Sequence, residues 1–254
     1  MLNLKTKSNQ NQETELDELE NFILSSGKSN LPLDKYYDEI LTNDRQTVDA
    51  KNVAKKLAPH NIPVLILGET GTGKELFARL LHGNRKGNFI GVNCGGIPDT
   101  LVEGEFFGSV KGAFTGATNK EGFFEQAHNG TIFLDEIAEL DRPLQSKLLR
   151  VIQEKKVRRL GADAEIPVNC RIISATNHTV ENLKSNNKFF RQDLYYRLAG
   201  AIIFLKPLKL RGDDAQLIAD KISGKLNYYL PPENNWEGNI RELLNYIEAS
   251  KILG

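Results

Sequence analysis

The sequence predicts an α/β fold in which a central parallel sheet is covered on both faces by helices. Three observations predict it. Short apolar runs of strand length recur at Val64–Leu67, Phe89–Val92, Thr131–Leu134, Ile172–Ala175 and Ala201–Leu205. Runs without polar alternation mark strands buried on both faces. Helical patterns lie between them, at Leu76/Phe77/Leu80/Leu81 and Leu144/Leu148/Val151/Ile152, and strands that alternate with helices assemble into parallel sheets. Finally, the most unusual polar and glycine-rich segments begin at or near the ends of these runs. Parallel sheets bind their ligands just beyond the C-terminal ends of their strands.

A chain of 254 residues has room for one large α/β domain and a small appendage. Hydrophobic residues make up 40%, charged residues 26%, and the formal net charge is +0. That composition is ordinary for a soluble globular protein and gives no general attraction to nucleic acid or membranes. The two cysteines, Cys94 and Cys170, stand in no metal-ligand spacing and read as reduced core residues of a cytosolic protein. No apolar run is long enough to span a membrane, and the N-terminus lacks a signal-like stretch. The expected location is the cytoplasm.

Along the chain, residues 1 to about 12 are rich in Asn, Gln and Lys and read as disordered. Glu13–Leu24 carries Leu16, Leu19, Phe22 and Ile23 at helical spacing, a short amphipathic helix whose stripe either meets a partner or faces its own core. Ser25–Leu33 reads as a linker. Val48–Leu57 is a further helical pattern, closed by Pro59.

The first chemical motif follows the first apolar run: Gly68, Glu69, Thr70, Gly71, Thr72, Gly73, Lys74 and Glu75. Strand, glycine-rich loop and helix are the context a phosphate-binding P-loop requires. Glycines let backbone amides approach phosphate oxygens, the helix N-terminus adds positive potential, and Lys74 adds a point charge. The general pattern ends in Lys-Ser or Lys-Thr, so Glu75 removes the usual hydroxyl ligand for magnesium. Next, Thr131–Leu134 delivers Asp135 and Glu136 at a strand end, a Walker B arrangement. Asp135 is the expected Mg2+ ligand and Glu136 the general base that polarises the attacking water. Thr176 and Asn177, ending another strand, can hydrogen-bond water or a γ-phosphate, although Asn177 is equally a turn former. Arg191 and Arg197, placed on one helix, point about 120° apart. They read either as arginine fingers reaching a neighbouring subunit or, for Arg191, as a surface pair with Asp193. The segment Gly112, Ala113, Phe114, Thr115, Gly116, Ala117 is the most unusual. Two glycines bracket an aromatic, and Phe106, Phe107, Phe123 and Phe124 flank the segment as its expected anchor. It is either a mobile loop presenting Phe114 to a partner or a buried turn.

Taken in order, GETGTGKE, VNC (Val92–Cys94), GAFTGA, GTIFLDEI, LQSKLLRVIQE, SATN, FRQDLYYRL and WEGNIREL resemble the sigma-54 activators, the bacterial enhancer-binding proteins of the AAA+ ATPase superfamily. The resemblance covers roughly Val64 to the C-terminus. GAFTGA is close to diagnostic of that family, and Glu75 belongs to its own form of the P-loop. The resemblance implies a three-layer αβα AAA+ core with a small C-terminal helical lid. It implies ATP and Mg2+ as cofactors, and a homo-oligomeric ring, a hexamer, with ATP at subunit interfaces. It assigns Asn93 as the switch that holds the catalytic glutamate, Thr176 and Asn177 as sensor I, Arg191 and Arg197 as trans-acting fingers, and Arg241 as the sensor II arginine. The GAFTGA loop would contact sigma-54 and remodel the RNA polymerase holoenzyme. Val157–Val168 resembles the hairpin inserted before sensor I. The implied division is a polar N-terminal segment over 1–45, the ATPase core over 46–208 and the lid over 209–254.

Three departures accompany the resemblance. Trp236-Glu237-Gly238-Asn239 stands where the family has Trp-Pro-Gly-Asn, which frees one φ angle. The stretch from Arg211 to Trp236 is short, so an abbreviated lid is expected. The chain has no room after the Arg241 helix for a helix-turn-helix domain, nor before residue 60 for a receiver domain. Two alternative functions share the same residues: an AAA+ remodeller of another protein, and a nucleotide-binding decoy subunit that joins the rings of a longer relative.

Overall fold

The computed structural model describes residues 33–253 except Thr115 and residues 186–188, and omits the side chains of Leu33, Asp34 and Asp99. The helix expected over Glu13–Leu24 lies outside the described residues, as does Thr115.

Five parallel strands form the central sheet: β1 (Val64–Leu67), β2 (Phe89–Asn93), β3 (Thr131–Asp135), β6 (Arg171–Thr176) and β7 (Ala201–Phe204), in the order β2-β3-β6-β1-β7. All five expected runs are strands. A separate antiparallel pair, β4 (Lys156–Arg158) and β5 (Glu165–Pro167), forms the hairpin expected over Val157–Val168. Strand alternation divides the core. Leu65, Leu67, Ile132, Leu134 and Ile172 pack into one buried cluster, whereas Val64, Ile66, Phe133, Ile173 and Ala175 pack into another. Both faces are therefore apolar, which is why these strands read as unbroken runs.

The helices α1 (Leu33–Glu39), α2 (Arg45–Leu57) and α3 (Lys74–His82) belong to the second cluster; α4 (Asp99–Phe107), α5 (Phe123–Gln126), α6 (Arg142–Glu154), α7 (Val180–Ser185) and α8 (Gln192–Leu198) lie with the first. Helix α1 was not legible as a helix, yet it seats Tyr36 at 1% exposure, and Ile40 beyond it is also buried. Asp44 caps α2 by accepting the Thr47 amide at 2.9 Å, and Asp141 caps α6 through the Leu144 amide at 2.9 Å. Helices α9 (Asp214–Ser223) and α10 (Asn239–Leu253) make the lid around a third cluster of Leu208, Ile218, Ala219, Trp236, Leu243 and Ile247. No helix among the described residues is long and apolar enough to cross a membrane.

Two helix ends converge below the sheet. Arg171, at the start of β6 and 2% exposed, donates to the carbonyls of Ala58 and Leu81, which close α2 and α3. The negative ends of both helices thus face its charge. Nearby, His82 is buried, with Nδ1 2.9 Å from Thr131 Oγ1 and its ring edge-on to Phe89. Burial first, then Arg85, Arg79 and Arg171, push its pKa from 6.5 down to about 4. The unfolded chain therefore binds a proton between those two values that the folded chain does not. Stability is complete above pH 6.5 and falls as pH drops toward 4, by roughly 3 kcal/mol for this one group. Denaturant titrations at pH 7 and pH 5 test this. His82→Gln should flatten the pH dependence, and an unchanged slope would contradict the assignment.

Candidate functional site

The C-terminal ends of β1, β3 and β6 bring three sequence motifs together. The loop from Gly68 to Gly73 leaves β1, and Lys74 opens α3. The Gly68 amide donates to the Thr176 carbonyl at 3.2 Å, tying the start of the loop to the end of β6. Gly71 and Gly73 have φ of 80° and 95°, a region glycine enters without strain. At Gly71 no other residue fits: a Cβ would stand 2.2 Å from the Gly238 carbonyl oxygen. Glu69 and Thr70 are exposed, while Thr72 is buried with Oγ1 donating to the Glu69 carbonyl at 2.8 Å.

Lys74 is 6% exposed, and Nζ donates to the carbonyls of Gly68 and Glu69 and to Glu136 Oε1, at 3.1, 3.4 and 3.2 Å. The other Glu136 oxygen accepts the Asn177 amide at 3.3 Å. Glu136 adopts φ 50° and ψ 49°, a left-handed conformation costly for a side chain with a Cβ. The adjacent Asp135 accepts the Glu136 amide at 3.0 Å. Burial pushes the Asp135 carboxyl above its ordinary range; Lys74 opposes the rise, Glu136 adds to it, and Arg241 opposes it in turn. A desolvated acid beside a second acid is a place that favours a cation. Among the described residues no group of three or more His, Cys, Asp or Glu could hold a metal alone. Asp135 fits the way Mg2+ is held, by one or two carboxylates with water and phosphate completing its shell.

Glu75 points elsewhere. Its Oε1 pairs with Arg79 on the next turn at 2.8 Å, and Arg79 lies over the Phe89 ring at 4.8 Å. Burial raises the Glu75 pKa against the pull of Arg79, and Asp135 adds to the rise. Thr176 is fully buried and accepts the His178 amide at 3.2 Å. Asn93, at the end of β2, uses Oδ1 to accept the Gly95 amide at 3.1 Å and so caps the short helical turn Cys94–Gly96. Arg241 sits at the start of α10, its Cβ against Gly71, and its side chain is exposed.

The two arginines do not share a helix. Arg191 is the cap before α8, with extended backbone at φ −73° and ψ 124°, so the helical angle expected between them does not apply. Buried Gln145 holds this cap, its Oε1 accepting the Arg191 amide at 2.8 Å. The Arg191 guanidinium grips Asp193 at 2.7 and 3.0 Å. Arg197, in the last turn of α8, is exposed and unpartnered among the described residues.

Away from this site, the Gly112–Ala117 loop leaves an aromatic base. Phe106, Phe107 and Phe124 are buried, with Phe107 stacked on Phe124 at 6.1 Å and Phe123 edge-on to Phe106 at 5.8 Å. Ser109 and Lys120 exchange backbone hydrogen bonds at 3.0 Å and close the neck. The hairpin supports one side: Leu160 bonds to Val110 and Gly108, and a Cβ on Gly161 would meet Ala113 at 2.7 Å. Gly112 and Gly116, at φ 87° and 84°, face open space. Phe114 is 48% exposed, so the described part of the loop is no buried turn. Among the described residues of the segment, only Ala117 is buried.

Fold and site together define a P-loop protein of the AAA+ class. NtrX from Brucella abortus in complex with ATP superposes with a TM-score of 0.74 and 28% identity, covering 95% of this chain and 56% of that one. Saccharomyces cerevisiae Hsp104 in complex with casein shares the fold, with a TM-score of 0.59 and 16% identity over 87% of this chain and 47% of that one. The sigma-54 interaction domain matches residues 40–203, more than half of the sequence, and the chain belongs to that family. The sigma54-dependent transcriptional activator SfnR of Pseudomonas putida is 47% identical over 217 residues, 78% of this chain and 59% of that protein. The transcriptional activator RocR of Bacillus subtilis strain 168 is 40% identical over 231 residues, 84% of this chain and 50% of that protein. The chain thus spans between half and three-fifths of the length of these relatives.

Proposed function

We propose that this chain binds ATP at the Gly68–Glu75 loop, hydrolyses it, and uses the energy to remodel the sigma-54 RNA polymerase holoenzyme through the Gly112–Ala117 loop. The observation that carries the reading is the meeting of Lys74, Asp135 and Glu136 at one sheet edge, on a chain that also exposes Phe114 on a glycine-bracketed loop. Before substrate arrives, Lys74 and Glu136 neutralise each other. An incoming γ-phosphate competes for Lys74, which frees Glu136 to accept a proton from the attacking water. Asp135 is the residue that would hold Mg2+, which when bound supplies positive charge to the outer phosphates.

Thr176 and Asn177 line the same edge, and the Asn177 amide already touches Glu136. Their proposed role is to sense the γ-phosphate; Asn93 would restrain Glu136 after exchanging its Gly95 contact. Arg197, unpartnered among the described residues, suits a finger reaching a neighbouring subunit, while Arg191 must first leave Asp193 and Ser146. Arg241 would complete the site from the lid. These roles require a homo-oligomeric ring, proposed as a hexamer, acting in the cytoplasm where the polymerase is.

Steady-state hydrolysis across a concentration series tests this. Turnover per subunit should rise with protein concentration as the ring assembles. Lys74→Ala should weaken nucleotide binding at least about tenfold, by removing a charged phosphate contact. Hydrolysis absent at every concentration, with ATP still bound, would support the decoy reading instead.

A further inference from the structure

The lid and the hinge before it hold the outer side of the P-loop at three consecutive carbonyls. Asn239 Nδ2 donates to the Thr70 carbonyl at 3.1 Å. The Ile240 amide donates to the Gly71 carbonyl at 2.9 Å. Arg211 Nη2 donates to the Thr72 carbonyl at 2.8 Å. In a trans peptide the carbonyl of one residue and the amide of the next point in opposite directions. Fixing these carbonyls toward the lid therefore aims the amides of Gly71, Thr72 and Gly73 the other way, where a phosphate would meet them. Among the described residues, only the Thr72 amide of these three has an internal backbone acceptor, the Glu69 carbonyl at 3.4 Å.

Arg211 is the most committed of the three donors. It is 2% exposed, and its Nε donates to the Lys206 carbonyl at 2.7 Å. Its guanidinium thus joins the strand-to-lid connection directly to the P-loop. The hinge is clamped from the other side as well. Asp214, fully buried, accepts the Thr42 hydroxyl and the amides of Asn43 at 2.7 Å and Asp44 at 3.3 Å, and Lys206 pairs with Asp44 at 2.7 Å. Asn239 is equally fixed, since its Oδ1 accepts the Leu208 amide at 2.6 Å.

We infer that Arg211 and Asn239 are positioning residues that set the P-loop amides for phosphate, so that nucleotide affinity depends on the lid's grip on the outer face of the loop. The inference rests on the nucleotide-site reading above. Neither residue touches the nucleotide in this scheme; each acts through the peptide planes it holds.

The test compares the full chain with Arg211→Met, Arg211→Lys and Asn239→Asp. The readouts are affinity for a fluorescent ADP, KM and kcat for ATP, and melting temperature with and without ADP. Arg211→Met removes the donor while keeping bulk, and should raise KM and weaken ADP binding about tenfold, with kcat within about twofold at saturation. Arg211→Lys should recover part of the affinity. Asn239→Asp keeps the acceptor for Leu208 but loses the donor to Thr70, and should weaken ADP binding in the same way even if Arg211→Met fails to fold. A merely structural role would lower melting without ADP and leave the ADP-induced rise intact, whereas positioning shrinks that rise. Wild-type affinity in Asn239→Asp, or in a folded Arg211→Met, overturns the inference. A wild-type chain that binds no nucleotide overturns the underlying reading instead, so the two failures are distinguishable.

Discussion

Replacing Glu136 by Gln is expected to lower ATP turnover by about a thousandfold while leaving ATP bound at least as tightly as before. The side chains are isosteric, and Gln keeps an oxygen for the Asn177 amide, now 3.3 Å from Glu136. What is lost is the carboxylate proposed to take the proton from water. The ion pair with Lys74, 3.2 Å long, is lost too, and Lys74 is then freer to meet phosphate. Catalysis and binding should therefore separate, which a general weakening of the fold would not produce. Steady-state hydrolysis and fluorescent-nucleotide titration measure the two quantities. Turnover within about threefold of the wild type would remove Glu136 from the role of base.

The second large effect lies in the loop. Phe114→Ala should leave ATP hydrolysis within about twofold of the wild type and weaken engagement of sigma-54 at least about thirtyfold, the usual loss when a central aromatic anchor is truncated. Phe114 is half-exposed, and a Cβ added at either bracketing glycine would meet nothing within 4 Å, so its removal disturbs no packing that reaches Lys74 or Asp135. Thr115→Ala, beside it, is expected to behave in the same way. Binding of sigma-54 in the presence of a transition-state analogue measures the effect. Full engagement by Phe114→Ala would exclude this loop as the working surface.

Much of the architecture was legible because its causes are local. Val64–Leu67 and Thr131–Leu134 are apolar on both faces, and burial on both faces leaves that trace in any short window of sequence. Lys74, Asp135 and Glu136 were legible for the same reason: each sits at a fixed offset from a strand end. What escaped was held by distant partners. Arg211 meets Thr72 across 139 positions and Asn239 meets Glu69 across 170, so neither contact leaves a local pattern. Asp214 reaches Thr42 across 172 positions. Helix α1 escaped because seven residues with few apolar positions show no clear period, and its burial depends on Tyr36 finding the core. Arg191 was misplaced because the contact that marks it as the cap, its amide on buried Gln145, lies 46 positions away in the sequence.

Glu75 stands where a hydroxyl is usual in P-loops, and the geometry shows what it does there: it pairs with buried Arg79 one turn along the same helix. The lid is carried by two helices, and its Trp236 packs edge-on to Tyr246 at 5.6 Å although glutamate replaces proline beside it. The left-handed backbone at Trp236 and Asn239, with φ of 49° and 60°, brings the turn onto Gly71. The lid therefore reaches the Gly68–Gly73 loop.

The most direct measurement is gel filtration of the purified chain with sigma-54 and ADP–aluminium fluoride, which mimics ATP at the point of hydrolysis. Co-elution of the two proteins only when the analogue is present, and its loss in Phe114→Ala, is the expected result. No co-elution with the analogue, from a preparation that hydrolyses ATP, would contradict the proposed coupling of this site to sigma-54.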